Sequence, residues 1–93
     1  MAKTAIITGS SRGLGAVIAQ TLINKGYNVV VNYKHNREKA EKLIENISNE
    51  KAIAIQADVT ERAEVNQMVK VAKEHFGNID IVINNALVNF KFD

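Results

Sequence analysis

Four short apolar runs alternate with three stretches of helical periodicity along the 93 residues. The runs are Ala5-Ile6-Ile7, Val29-Val30-Val31, Ala52-Ile53-Ala54-Ile55 and Ile81-Val82-Ile83. The valine run is continuous rather than alternating, as expected of a strand covered on both faces. Between the runs, apolar residues recur at helical spacing: Leu14, Ile18 and Leu22, then Ala40, Leu43, Ile44 and Ile47, then Val65, Met68, Val69, Ala72 and Phe76. Gly26 and Gly77 stand where helices need C-terminal caps, and Asn36 and Thr60 where they need N-caps. The pattern predicts strands over 3–8, 28–33, 52–57 and 80–84. It predicts helices over 13–25, from Asn36 onward, and between Thr60 and Gly77.

The resulting order, β-α-β-α-β-α-β, is that of a parallel α/β protein. Right-handed crossovers then place the strands in the order 3-2-1-4, the start of a Rossmann-type doubly wound sheet. In that order the crossovers leaving strands 1 and 4 run to opposite sides. A crevice opens between their carboxyl ends, with residues 8–15 as one wall and 84–87 as the other. Ile79, Ile81 and Ile83 are expected on one face of strand 4, with Val82 on the other. Strand 4 is expected to form an open edge, with Phe90 and Phe92 beyond it lacking partners, so self-association is anticipated.

The first wall carries the chemistry. Thr8-Gly9-Ser10-Ser11-Arg12-Gly13-Leu14-Gly15 follows a strand and opens a helix. Glycines let the backbone turn sharply and approach a ligand, and a helix N-terminus directs unpaired N–H groups at an anion. The spacing is G-x-x-x-G-x-G, and it lacks the lysine of a P-loop.

Composition narrows the possibilities without adding a site. Apolar residues make up 46 % and charged residues 24 %, which is ordinary for a folded domain and excludes disorder. A net charge of +2 with no basic stripe argues against nucleic-acid binding. Without cysteine there are no disulfides, and His35 and His75 lack a ligand spacing, so no metal site is expected. No segment approaches a membrane span or a signal-peptide core, and the expected location is the cytoplasm.

Three motifs in order, Thr8-Gly9-x-x-x-Gly13-x-Gly15, Asp58-Val59 and Asn84-Asn85-Ala86, resemble the short-chain dehydrogenase/reductase family. Within it, the likeness is nearest the 3-oxoacyl-acyl-carrier-protein reductases. The resemblance covers the chain and corresponds to the N-terminal half of a family member. It implies a nicotinamide dinucleotide cofactor. Gly9, Gly13 and Gly15, with Leu14 between the last two, would admit its pyrophosphate, and Ser11 and Arg12 would line the adenosine side. Asp58 would hold the adenine amino group, and Val59 would offer its backbone N–H to a ring nitrogen. Asn85 and Ala86 would border the ribose, while Thr8 would tie strand 1 to strand 4. Each residue also has a plainer reading, as a tight turn, the start of a loop or the end of a strand.

Cofactor choice is read at the end of strand 2. NAD binders place a carboxylate about 20 residues beyond the glycine loop, on the ribose 2′-OH. Here Tyr33 stands at that place, between Asn32 and Lys34. Arg12 and Lys34 could pair with a 2′-phosphate, which favours NADP(H) over NAD(H).

Two departures from the family matter. Leu87 stands where the family motif usually ends in glycine. The Tyr-x-x-x-Lys pair and substrate-holding serine that the resemblance calls for have no counterpart: Tyr27 is followed four residues later by Val31, and Tyr33 by Arg37. No catalytic residue is identified.

The expectation is therefore that 1–93 is the dinucleotide-binding half of a reductase, truncated before its catalytic half and inactive alone. In full length it would reduce a ketone or an acyl thioester. The alternatives are a non-catalytic dinucleotide-binding module and a self-associating fragment without activity.

Overall fold

The computed structural model describes residues 2–11, 13–47 and 50–85. Its elements are β1 (Thr4–Ile7), α1 (Gly13–Asn24), β2 (Asn28–Tyr33), α2 (Arg37–Ile47), β3 (Ala52–Gln56), α3 (Arg62–Phe76) and β4 (Ile81–Ile83). The four strands form one parallel sheet in the order β3-β2-β1-β4, as the pattern predicts. Ala5 lies opposite Val29 on one side and Ile81 on the other, so β1 is an inner strand, as is β2.

Strand periodicity divides the core in two. Ile7, Val29, Val31, Tyr33 and Ala52 point to the face where Ala19 and Ile23 of α1 and Ala40 of α2 are buried. Ile6, Val30 and Ala57 point to the other face, against Met68 and Ala72 of α3. Helices on both faces explain why the β2 valines form an unbroken apolar run: all three are fully buried.

Gly26 and Gly77 close their helices as expected, while the N-terminus of α3 differs. The C-terminus of α1 closes with Gly26 at φ 93°, and the Tyr27 N–H reaches the Leu22 carbonyl at 3.0 Å while the Gly26 N–H reaches Ile23 at 2.9 Å. Those two bonds are a Schellman closure, and Tyr27 and Leu22 both pack on the first core cluster. Thr60 does not cap α3. The N-cap position is Glu61, without a side-chain cap bond, and the Thr60 hydroxyl donates instead to Asp58 Oδ1 at 2.6 Å. The face of α1 also shifts from the expected stripe. Gly15, Ala19 and Ile23 are buried, whereas Leu14 is 68 % exposed. On β4, Ile79 and Ile83 do not share a face: Ile83 packs on the α1–α2 side and Ile79 on the α3 side. Ile79 precedes the strand, so the two-residue alternation does not extend back to it. Ala86, Leu87, Phe90 and Phe92 lie outside the described residues, as does Arg12. Among the described residues no helix is long and apolar enough to cross a membrane.

Candidate functional site at the carboxyl ends of the strands

The glycine loop leaves β1 at the centre of the sheet and is held by neighbours on both sides. Toward β4, the Thr8 N–H donates to the Ile83 carbonyl at 3.0 Å, and the Asn85 N–H donates to Thr8 Oγ1 at 2.9 Å. The Asn85 side chain donates through Nδ2 to the Gly9 carbonyl at 3.2 Å. Thr8 thus joins β1 to β4, and the Asn85 side chain is turned onto the loop. Both walls of the crevice meet at one point.

The two glycines of the loop's second half act differently. Gly13 has φ 61°, and a Cβ built there would meet nothing within 4 Å. Its conformation requires glycine, and the space beside it is open. Gly15 is the reverse. A Cβ there would lie 2.6 Å from Asn85 Nδ2, 2.7 Å from Ser10 Cα and 2.9 Å from the Gly9 carbonyl. The missing side chain lets α1 seat directly on the loop, which brings its N-terminus to the crevice. Gly9 also has a positive φ, at 60°. A turn of this shape at a helix N-terminus suits a phosphate.

Toward β2 and β3, the loop is held by two residues that the motif comparison does not single out. The Ser10 N–H donates to the Asn32 carbonyl at 2.9 Å, and the Asn32 N–H returns to Ser10 Oγ at 3.1 Å. The Ser10 hydroxyl donates in turn to the Ile7 carbonyl at 2.7 Å. Both residues are buried. A polar residue closing an otherwise apolar strand core, as in Val29-Val30-Val31-Asn32, is the signal that could have flagged the second.

The loop after β3 braces itself. Asp58 Oδ1 accepts from the Thr60 N–H at 2.9 Å and from the Thr60 hydroxyl, while the Asp58 N–H donates to Glu64 Oε1 at 2.9 Å. Lys34 Nζ, at the end of β2, lies 3.2 Å from Asp58 Oδ2. Hydrogen bonds from Thr60, and then the Lys34 ammonium, hold the Asp58 carboxyl down to about 2 from its ordinary 3.8. The acid is therefore ionised at neutral pH and offers a fixed negative acceptor beside a cation. Lys34, expected to meet a phosphate, is shared with this carboxylate. Tyr33 is buried in the core cluster on the α1–α2 face, so its ring belongs to the packing, and its carbonyl accepts the Ala57 N–H at 3.0 Å. Val59 and Ser11 are partly exposed beside the site, and the Leu14 side chain projects outward.

A parallel sheet in this order, with a glycine turn at its switch point and an ionised aspartate two strands along, defines a Rossmann-like α/β chain. The family comparison makes this definite: the short chain dehydrogenase family matches residues 3–92, and the chain belongs to that family. It is 46 % identical over 88 residues to the 3-oxoacyl-acyl-carrier-protein reductase FabG of Staphylococcus aureus, covering 92 % of this chain and 36 % of that protein. It is 52 % identical over 91 residues to versicolorin reductase 1 of Dothistroma septosporum, covering 95 % of this chain and 35 % of the relative. Among solved structures, a Serratia marcescens short-chain dehydrogenase/reductase superposes with a TM-score of 0.87 at 39 % identity, over 92 % of this chain and 36 % of that one. A Bacillus anthracis short chain dehydrogenase gives 0.87 at 36 % identity, over 95 % and 37 %. The chain thus spans little more than a third of the length of these relatives.

Proposed function

We propose that this chain holds the dinucleotide of an NADP(H)-dependent short-chain oxidoreductase. The observation that carries the reading is convergence: the glycine turn, Asn85 and the ionised Asp58 stand at the carboxyl ends of β1, β4 and β3, all at the same end of one parallel sheet. The residues fit such a cofactor. Open space beside Gly13 and close seating at Gly15 admit a pyrophosphate to the N-terminus of α1. Asp58 supplies an acceptor for an adenine amino group, and Asn85 borders the ribose. Lys34 supplies positive charge at the end of β2, shared with the Asp58 carboxylate 3.2 Å away; β2 itself ends in no acidic residue, and Arg12 adds a second cation within the glycine segment of the sequence.

When bound, the nicotinamide would supply or accept a hydride. The residues present here would bind and orient it. None of them supplies the proton that ketone reduction requires, since no Tyr-x-x-x-Lys pair occurs in the sequence. The substrate we infer for the whole protein is a ketone, and by likeness to FabG a 3-oxoacyl thioester. We also infer self-association through the β4 edge.

A fluorescence titration tests the reading. NADPH should bind more tightly than NADH, and the 93 residues should not oxidise it in the presence of a ketone. Tighter binding of NADH would refute the cofactor choice, and failure to bind either would refute the site.

A further inference from the structure

On the dinucleotide reading above, the phosphate seat depends on a side chain that lies outside the glycine motif. We propose that Asn32 is a positioning residue: its buried amide sets the shape of the glycine loop and ties it to the end of β3 before any ligand arrives.

The geometry uses every hydrogen-bonding direction of that amide except one. Oδ1 accepts the Gly9 N–H at 2.9 Å. Nδ2 donates to the Ile55 carbonyl at 3.3 Å and to the Ala57 carbonyl at 3.2 Å. The residue is 2 % exposed, so leaving any of these partners unpaired would carry the cost of a buried polar group. The acceptors on β3 fix which way the amide points. With Nδ2 committed to them, Oδ1 can only face the loop. The backbone of the same residue pairs twice with Ser10. Residues 9 and 10 are thereby registered on β2 with three hydrogen bonds, and the hydroxyl of Ser10 adds a fourth back to Ile7 of β1.

Two consequences follow. The Gly9 N–H is engaged by Asn32, so Gly9 serves the seat through its φ of 60° rather than as a donor to phosphate. Ala57, held by Nδ2, immediately precedes Asp58, but Asp58 itself is fixed by Thr60, Glu64 and Lys34, so the amide governs the phosphate wall and leaves the adenine wall to its own bonds. An apolar residue of similar size would fill the space and remove all three side-chain hydrogen bonds, the one to the Gly9 N–H among them. An aspartate would keep the acceptor but set a carboxylate oxygen against two carbonyl oxygens.

The test compares the wild type with Asn32→Ser and Asn32→Asp. Amide hydrogen exchange in the unliganded protein should show Gly9 protected in the wild type, and about tenfold faster exchange at Gly9 in the serine variant, while the Val30 amide is unchanged. NADPH affinity should fall about tenfold in both variants, with adenosine affinity held within about twofold. A purely structural role would speed Gly9 and Val30 together and weaken both ligands by one factor, and that result would overturn the proposal. So would an unprotected Gly9 amide in the wild type, which decides the matter even if neither variant folds. Failure of the wild type to bind NADPH would refute the dinucleotide reading, and the exchange comparison would still decide whether Asn32 holds the loop.

Discussion

At the scale of single residues, the three motif glycines are not interchangeable, and the differences can be measured. Gly15 is required by close approach. Two of the three atoms that a Cβ would strike, Ser10 Cα and the Gly9 carbonyl, are backbone and cannot swing aside. Gly15→Ala should therefore cost about 1–3 kcal/mol of stability, the range for overpacking a well-filled site. Gly13 is required by conformation alone. Gly13→Ala meets no neighbour and should cost about 1–2 kcal/mol, the strain of a left-handed alanine. The functional consequences should run the other way. The methyl at residue 13 enters the open space where a phosphate would sit, so dinucleotide affinity should fall by more than the stability loss explains. Urea denaturation and NADPH titration of both variants check this, and equal ratios of the two effects would count against the assignment.

At the scale of elements, the β3–α3 loop behaves as a small electrostatic unit. The Asp58 carboxyl is lowered from 3.8 to about 2 by Thr60 and Lys34. A depressed acid stabilises the fold fully above its ordinary value, and that contribution disappears as pH falls through the folded value. The difference in stability between wild type and Asp58→Asn should be constant above pH about 5 and shrink steadily toward pH about 2. Urea midpoints across that range measure it. A difference that grows on acidification would contradict the ionised, hydrogen-bonded Asp58. The same loop shows how far sequence can be read. The element order and the strand order were both legible, because periodicity and a parallel crossover leave few alternatives. Local side-chain bonding was not. Thr60 reads as a helix cap by type and position, its hydroxyl oxygen accepting a helix N–H, but the hydroxyl donates to Asp58 and caps nothing, and spacing alone cannot rank those two uses. Lys34 reads as a free cation for the same reason. Asn32 escaped notice because its three partners come from two other segments of the chain, each remote in sequence.

At the scale of the whole molecule, the sheet is protected unevenly. On the α1–α2 side, core packing runs from β3 to Ile83 of β4. On the other side, α3 covers Ile6, Val30 and Ile53, but that cluster does not include Val82. Val82 lies opposite Ile6 in register, points to the same face and is 53 % exposed. Strand β4 pairs with β1 alone among the described strands, so an apolar side chain and a row of backbone groups coincide at one edge. Such an edge is a template for a second strand of the same kind. The expected outcome is concentration-dependent association. In sedimentation velocity the wild type should move to larger species as concentration rises, and Val82→Lys should shift that onset upward by about tenfold, since a charge on the shared face must be desolvated to pair. The substitution leaves the glycine loop and Asp58 untouched, so NADPH affinity per chain should not change. A wild type that stays monomeric at the highest concentrations would remove the β4 edge as an interface, whereas loss of NADPH binding in the lysine variant would show that the edge and the crevice are coupled through β1.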